Sequence, residues 1–284
     1  MNWRLAVLGA LAVALPSIVS AQANQRIPSP QTVIVKSGTL ELKALLWTPP
    51  GRGPFPAVLF NHGNGPAASS LGTERTSLGS VFASRGYVFL HLFRRGSGLS
   101  ANQGTNTFDI MSRAFATGGR SARNREQVLS LDGNDFADVE AGLTYLRRLP
   151  SVDTKRIAVI GHSMGGSATL VVAERDSAVR AAVVFGAAAG TWKASEPLRN
   201  RLTTAVEHAR APIFFVTAAN DFTTAPVTVL GAAMDRQRKP HVVRIYPPFG
   251  NAPEIGHDLI YGAVKVWERD VFSFLAENLK PHAR

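Results

Sequence analysis

The chain has 284 residues, of which 45% are hydrophobic and 18% charged, and it contains no cysteine. These proportions are typical of a globular α/β protein, and the lack of cysteine excludes disulfides, thiol catalysis and cysteine-ligated zinc. The formal net charge is +11 at pH 7, but the basic residues are scattered, with no like-charge run longer than Arg94-Arg95 or Arg147-Arg148, so we expect no nucleic-acid partner.

The first residues have the pattern of a secretory signal peptide. Arg4 supplies positive charge, an apolar stretch runs from Leu5 to about Leu15, and Val19-Ser20-Ala21 forms a small-residue cleavage site. The apolar stretch is too short to cross a hydrocarbon core of about 30 Å. We therefore expect cleavage after residue 21, a periplasmic or secreted bacterial protein, and no membrane span in residues 22–284; an uncleaved anchor is the alternative.

Strand and helix signals alternate along the rest of the chain, which predicts a mostly parallel sheet with crossover helices. The predicted strands are 32–36, 40–47, 57–61, 87–92, 157–160, 181–185, 213–217 and 242–246. The predicted helices cover 71–85, 132–149, the segment after Ser163, part of 190–210, 227–238 and 258–279. Residues 22–284 are therefore interpreted as one α/β domain.

Residues 96–131 are rich in Gly, Ser, Asn and Arg and are long for a connection between a strand and a helix. We interpret this segment as either a lid over a site or a loose surface excursion. As a lid, it would suit an acyl group that also bears a carboxylate or a phosphate. Its basic and apolar side chains are Arg113, Arg120, Arg123, Arg125, Phe108, Met111 and Phe115.

The stretch GHSMG, residues 161–165, lies between a predicted buried strand and a predicted buried helix. It matches the G-x-S-x-G nucleophile elbow, in which the serine occupies a strained turn with its hydroxyl exposed. Side chains at Gly161 and Gly165 would collide with the adjoining strand or helix. This context predicts that Ser163 is a nucleophile.

A serine hydroxyl needs a base to take its proton and a third group to orient that base. In a strand–elbow–helix arrangement of this kind, the chain order is Ser, then Asp or Glu, then His. Only His257 and His282 lie beyond the last predicted strand, and His282 is close to the end of the chain. His257 is therefore the predicted base.

The acid is expected just beyond the strand 213–217. Asp221, in the sequence ANDFTTAP, is the first acidic residue there. Its rival Asp235 lies deep in the following predicted helix, and Asp258 is expected to cap the last helix. Asp221 is therefore the predicted acid.

An oxyanion requires two backbone N–H donors near the nucleophile. The residue after the serine, Met164, supplies one of them. The loop NHGNG, residues 61–65, offers the other, with Asn64 as the first choice and Gly63 as the fallback. His62 precedes the nucleophile in chain order, which favours a structural hydrogen-bonding role for its side chain.

These motifs resemble the α/β-hydrolase superfamily and, within it, the dienelactone hydrolase-like group. The elbow GHSMGG, the loop NHGNG, the segment ANDFTTAP and the segment GHDL occur in the expected order. The resemblance implies a mostly parallel sheet of about eight strands with helices on both faces. It also implies hydrolysis of a small-molecule carboxylic ester through an acyl-enzyme, without a metal or organic cofactor. Dienelactone hydrolases proper carry cysteine at the elbow, whereas this chain has Ser163, so a general esterase is expected.

Two other hypotheses stay open beside the esterase. One is a peptidase or amidase of the prolyl oligopeptidase-like type, which uses the same triad. The other is a non-catalytic binding protein on a hydrolase scaffold, against which the filled positions Ser163, Asp221 and His257 argue.

Overall fold

The computed structural model describes residues 29–64 and 77–281. The predicted signal peptide, residues 71–76 of the first predicted helix and His282 lie outside these residues. The strands are β1 (Gln31–Ser37), β2 (Leu40–Trp47), β3 (Phe55–Asn61), β4 (Val88–Leu92), β5 (Val152–His162), β6 (Val179–Phe185), β7 (Ile213–Ala218) and β8 (His241–Tyr246). All eight predicted strands are thus present, within a few residues at each end.

The strands form one open sheet in the order β1-β2-β4-β3-β5-β6-β7-β8. Strand β2 pairs antiparallel with β1 and β4, and all the remaining neighbours pair in parallel. The central strands are continuous apolar runs because helices cover both of their faces. This architecture confirms the predicted α/β-hydrolase fold with a mostly parallel sheet.

Two apolar layers enclose the sheet, and successive strand residues alternate between them, as for Leu59 and Phe60. The helices are α1 (Ser77–Ala83), α2 (Thr107–Ser130), α3 (Phe136–Arg147), α4 (Met164–Arg175), α5 (Glu196–His208), α6 (Ala225–Arg236), α7 (Pro253–His257), α8 (Leu259–Gly262) and α9 (Val264–Asn278). Helices α3 to α6 contribute to one layer, and α1, α8 and α9 contribute to the other. None of the helices in the described ranges combines the length and the apolar character that crossing a membrane requires.

The segment 96–131 is largely helical. A 3₁₀ turn at Gly98–Ser100 precedes α2. Asn106 is the N-cap residue of α2, and its side chain accepts a hydrogen bond from the backbone N of Asp109 at 2.8 Å. Gly118 and Gly119 depart from helical dihedral angles, so α2 is kinked there. A π-helical turn, Leu131–Asp135, joins α2 to α3, which means that the helix predicted over 132–149 continues from α2.

The prediction of a single C-terminal helix over 258–279 is wrong. The chain forms two helices in that range, α8 and α9, after the short helix α7. Ala263, with φ −123° and ψ 38°, interrupts the helical path between α8 and α9. His257 is the last residue of the short helix α7, and it precedes Asp258 rather than a long helix. Asp258 occupies the N-cap position of α8, but in the described part of the chain its side chain accepts no capping hydrogen bond, contrary to the prediction.

Candidate active site

Ser163 forms the sharp turn between β5 and α4. Its backbone has φ 55° and ψ −120°, a conformation that costs energy for any residue with a side chain and that clusters at functional sites. Two hydrogen bonds hold this turn: the N–H of Ser163 donates to the carbonyl of Phe185 at 2.8 Å, and the N–H of Ser167 donates to the carbonyl of Ser163 at 3.1 Å. The neighbouring strand and the first turn of α4 thus fix the strained backbone.

The two glycines of the elbow allow the closest backbone approaches in the site. A Cβ atom on Gly165 would lie 2.1 Å from the carbonyl oxygen of Asn61, and a Cβ atom on Gly161 would lie 2.2 Å from the carbonyl oxygen of Gly165. Real Cβ atoms do not tolerate such distances, so α4 packs against β3 and β5 only because both positions lack a side chain.

Asp221 and His257 are joined directly. His257 Nδ1 donates to Asp221 Oδ1 at 2.8 Å. The same oxygen accepts from the backbone N of Phe222 at 2.7 Å, and Oδ2 accepts from Thr217 Oγ1 at 2.8 Å. Because the Nδ1 proton points at the carboxylate, the other ring nitrogen, Nε2, is the one that can act as a base.

Ser163 and His257 line the same cavity, which has a volume of about 710 Å³. Among the described residues, no hydrogen bond joins their side chains. Catalytic hydrogen bonds are often long in a protein without substrate and shorten in the complex. The structure therefore brings the predicted nucleophile and base to one cavity, and it brings the predicted acid to the base.

The rival acids lie elsewhere. The Asp235 side chain is 76% exposed and lies 3.7 Å from His241 Nε2 rather than near His257. Asp258 follows His257 in the chain, and its Oδ1 lies 3.8 Å from His162 Nε2. Asp221 is thus the carboxylate that is hydrogen-bonded to the imidazole of His257.

The residues of the predicted oxyanion donors, Met164 and Asn64, both line the cavity that contains Ser163. Met164 is the first residue of α4, where a backbone N–H has no partner within the helix and the helix dipole favours negative charge. Asn64 lines the cavity together with Ser163 and Met164. Gly63 lies against the elbow, since a Cβ atom there would be 3.1 Å from Ser163 Cβ.

A buried polar network supports the loop that contains Asn64. His62 Nδ1 donates to the Gly63 carbonyl at 2.7 Å, and His62 Nε2 accepts from the backbone N of Arg94 at 3.2 Å. The fully buried guanidinium of Arg94 donates to Asn64 Oδ1 at 3.4 Å and to Asp135 Oδ1 at 3.3 Å. Burial raises the pKa of the Asp135 carboxyl, and the charge of Arg94 opposes that rise. His62 thus has the predicted structural role, whereas sequence reasoning missed Arg94 and Asp135.

His162, the residue before the predicted nucleophile, contacts the predicted base at the end of α7. Its Nε2 donates to the backbone carbonyl of His257 at 2.9 Å, and its Nδ1 accepts from Tyr261 Oη at 3.4 Å. The His162 and His257 rings lie 4.7 Å apart, centroid to centroid. This contact was not predicted, and its only sequence signal is the histidine beside Ser163.

One wall of the cavity is formed by α2. Phe108, Met111 and Phe115 recur at helical spacing and line the cavity, as do Arg120 and Arg123 beyond the kink. The segment 96–131 therefore reaches the candidate site. Within the described ranges, no three His, Cys, Asp or Glu side chains lie together as the ligands of a metal ion would.

Comparison with known proteins yields one family. The sequence profile of the dienelactone hydrolase family matches residues 42–277. That range contains every residue of the candidate site. No curated protein sequence matches the chain.

Solved structures with the same fold include hydrolases of two kinds. A dienelactone hydrolase from Anabaena variabilis has a TM-score of 0.60 and 19% identity, with 89% of this chain and 100% of that chain covered. An acylaminoacyl peptidase from Pyrococcus horikoshii has a TM-score of 0.64 and 18% identity, with 91% and 43% covered. Dipeptidyl peptidase 4 from Porphyromonas gingivalis has a TM-score of 0.62 and 21% identity, with 89% and 36% covered. The chain thus spans about two fifths of the peptidase chains, and at these identities the likeness concerns the fold.

Proposed function

The chain belongs to the dienelactone hydrolase family, and from that premise we propose that it is a serine hydrolase that cleaves small-molecule carboxylic esters through an acyl-enzyme. Ser163 is the nucleophile, His257 the general base and Asp221 the acid that orients His257. Met164 and Asn64 supply the backbone N–H groups of the oxyanion hole. The cysteine of dienelactone hydrolases proper is replaced by serine in this chain, which favours a general esterase over a hydrolase of dienelactone.

The reaction follows from the positions of these groups. His257 Nε2 takes the proton of Ser163 Oγ, and the oxygen attacks the carbonyl carbon of the ester. The backbone N–H groups of Met164 and Asn64 stabilise the negative oxygen of the tetrahedral intermediate. The intermediate collapses, and the leaving alkoxide receives the proton from His257. Water then attacks the acyl-enzyme with His257 again as base, which releases the acid and restores Ser163.

The observation that carries this proposal is the 2.8 Å hydrogen bond from His257 Nδ1 to Asp221, beside a cavity that Ser163 also lines. Two further donors, Thr217 Oγ1 and the backbone N of Phe222, fix this carboxylate, which holds the imidazole in the tautomer whose Nε2 can accept a proton. The strained backbone of Ser163 supports the same conclusion, because such strain persists only where the surrounding structure enforces it.

A peptidase or amidase is the second candidate, since peptidases are among the structures of the same fold. The test is to compare hydrolysis of p-nitrophenyl butyrate with hydrolysis of aminoacyl p-nitroanilides by the purified protein, with Ser163→Ala as the control. We expect ester cleavage that Ser163→Ala abolishes, with the anilides cleaved more slowly than the ester. Preferred cleavage of the anilides would replace the esterase assignment by the peptidase one. Cleavage of neither class, together with saturable binding of a small molecule, would favour a binding protein.

We also propose that the protein is exported from a bacterial cell. Residues 1–21, outside the described residues, carry the signal-peptide pattern that supports this proposal. The test is expression in a bacterium, fractionation, and mass spectrometry of the product. A periplasmic or secreted protein that begins near Gln22 is expected; a full-length cytoplasmic product would contradict export.

A further inference from the structure

Asn220, the residue before the proposed acid, is hydrogen-bonded to the segment that precedes the helix of the proposed base. Its Nδ2 donates to the backbone carbonyls of Phe249 at 3.0 Å and of Ala252 at 3.2 Å, with a longer contact of 3.4 Å to the carbonyl of Gly250. Its Oδ1 accepts from the backbone N of Phe249 at 2.9 Å. The donors and the acceptor of this amide are therefore all bound to main chain between β8 and α7.

This segment ends where the helix of His257 begins. Ala252 is the N-cap residue of α7, and its carbonyl, which accepts from Asn220, also accepts from the backbone N of Gly256 at 3.0 Å. His257 is the last of the five residues of α7. A helix of that length rises only about 7.5 Å, so a displacement of Ala252 is passed on to His257 almost undiminished.

A close packing contact adds to these hydrogen bonds. A Cβ atom on Gly256 would lie 2.5 Å from Asn220 Oδ1 and 2.8 Å from the carbonyl oxygen of Asn220. Real Cβ atoms do not approach other atoms so closely, so the residue before His257 packs directly against Asn220 because it lacks a side chain. Asn220 thus contacts α7 at its start and beside its last residue.

The position of Asn220 is itself fixed by the sheet. The N–H of Ala219 donates to the carbonyl of Tyr246 at 2.8 Å, and the N–H of Asp221 donates to the carbonyl of Ala218 at 3.1 Å. Ala218 and Tyr246 are opposite each other where β7 pairs with β8. Asn220 and Asp221 therefore leave the same turn at the end of the sheet, and a helix held by Asn220 is held relative to the acid.

We propose that Asn220 is a positioning residue of the triad, which holds α7 so that the His257 imidazole meets the Asp221 carboxylate. This inference rests on the proposed hydrolase function and deepens it. A misplacement of about 1 Å can lower the rate of a catalysed reaction on the order of 100-fold, so such a residue acts on the rate through His257. Asparagine suits this task because it presents donors and an acceptor together on a short side chain, whereas aspartate of the same size has no N–H to donate.

The first experiment measures ester hydrolysis by two variants of Asn220. Asn220→Ala removes every side-chain hydrogen bond to the segment, and Asn220→Asp keeps the size of the side chain but loses the donated bonds. Both should lower kcat for p-nitrophenyl butyrate by roughly 10- to 100-fold with little change in KM. The matched control is Asn251→Ala, at an exposed asparagine of the same segment whose side chain has no hydrogen bond in the described part of the chain; it should retain kcat.

The melting temperature of each variant separates positioning from a general contribution to stability. The kinetics are measured well below the lowest melting temperature, so that only folded enzyme is compared. If Asn220→Ala melts at a lower temperature but keeps the wild-type kcat, Asn220 only stabilises the fold and the proposal fails. A wild-type kcat in Asn220→Asp would also overturn it, because the donated hydrogen bonds would then be dispensable.

The second experiment does not depend on catalysis. Crystal structures of the wild-type protein and of Asn220→Ala compare the distance from His257 Nδ1 to Asp221, with Asn220→Asp in its place if the alanine variant does not fold. We expect the 2.8 Å hydrogen bond in the wild type and its loss in the variant. That result would support the positioning role even if the wild-type protein cleaved no ester, in which case only the hydrolase proposal fails. An unchanged distance in the variant would overturn the positioning role whatever the activity.

Discussion

His257 Nδ1 lies 2.8 Å from Asp221 Oδ1, and the Asp221 carboxylate is buried beneath it with a side chain only 1% exposed. Thr217 Oγ1 and the backbone N of Phe222 supply the other donors to this carboxylate. A carboxylate held by these two donors orients the imidazole and stabilises its charged form during a reaction. The proposed function depends on this pair as much as on the elbow.

Replacement of Asp221 by Asn should lower kcat by up to about 10⁴-fold while the fold is retained, because the amide NH₂ group favours the wrong histidine tautomer. The measurement is ester hydrolysis together with the circular dichroism of the variant. The matched control is Asp235→Asn, at a carboxylate whose side chain is 76% exposed, which should change kcat less than about twofold. Equal rates for wild type and Asp221→Asn would place the acid elsewhere.

Gly186, after β6, provides space for the pair formed by Asp221 and His257. A Cβ atom on Gly186 would lie 2.8 Å from Asp221 Oδ2 and 2.9 Å from His257 Nδ1, and its φ is +54°. Gly186→Ala should therefore displace the pair and lower kcat by roughly 100-fold. It should also reduce the free energy of unfolding by about 1–2 kcal/mol, because alanine is strained at positive φ.

The control for Gly186→Ala is Gly133→Ala, at a glycine where an added Cβ atom would meet nothing within 4 Å. Enzyme kinetics and urea denaturation are measured for both variants. Full activity of Gly186→Ala would show that the pair tolerates displacement and that its position does not limit the rate.

His162 is predicted to position the backbone of His257 at the end of α7, because His162 Nε2 donates to the backbone carbonyl of His257 at 2.9 Å. His162→Leu should lower kcat by roughly 10- to 100-fold with little change in KM. His162→Gln should recover most of the rate, because the glutamine amide presents an N–H close to the position of Nε2. If Leu and Gln reduce kcat equally while both variants retain their melting temperature, the hydrogen bond has no positioning role.

The buried pair of Arg94 and Asp135 should couple strongly in stability. Their side chains are 1% and 3% exposed, so the loss of one partner leaves a buried group without compensation. Asp135→Leu should reduce the free energy of unfolding by about 3–5 kcal/mol, and the double variant Arg94→Met/Asp135→Leu should recover much of that loss.

Urea denaturation of the two single variants and the double variant measures this coupling. The double variant should still have a reduced kcat, because Arg94 also donates to Asn64 of the proposed oxyanion loop. If the losses of unfolding free energy in the two single variants add up in the double variant, the two residues are not coupled. If the double variant has the kcat of the wild type, Arg94 does not support the proposed oxyanion loop.

The strands of the sheet and the positions of the three proposed triad residues could be predicted from the sequence alone. The strand before Ser163 is an apolar run, which a single sequence shows. The glycines on either side of Ser163 match a motif in which a side chain would collide with the adjoining strand or helix. Ser163, Asp221 and His257 each follow a strand that is parallel to its neighbours, namely β5, β7 and β8. The carboxyl ends of parallel strands meet at one edge of a sheet, so chain order alone brings the three residues close together.

The supporting contacts could not be predicted, because they join residues that are distant in sequence. Arg94 and Asp135 are 41 positions apart, and His162 and His257 are 95 positions apart. Such contacts depend on how side chains pack between elements, which periodicity does not encode. Helix α2 was missed for a local reason: Gly118 and Gly119 interrupt its pattern, and glycines in a polar segment indicate a loop.

The measurement that tests the central claim most directly is labelling of the purified mature protein with a fluorophosphonate probe, followed by mass spectrometry of the modified peptide. We expect one phosphonylated serine, Ser163, with labelling abolished in Ser163→Ala and strongly slowed in Asp221→Asn. Ser84→Ala serves as the control and should be labelled like the wild type. Absence of labelling in the folded wild-type protein, or labelling that persists in Ser163→Ala, would contradict an activated nucleophile at Ser163.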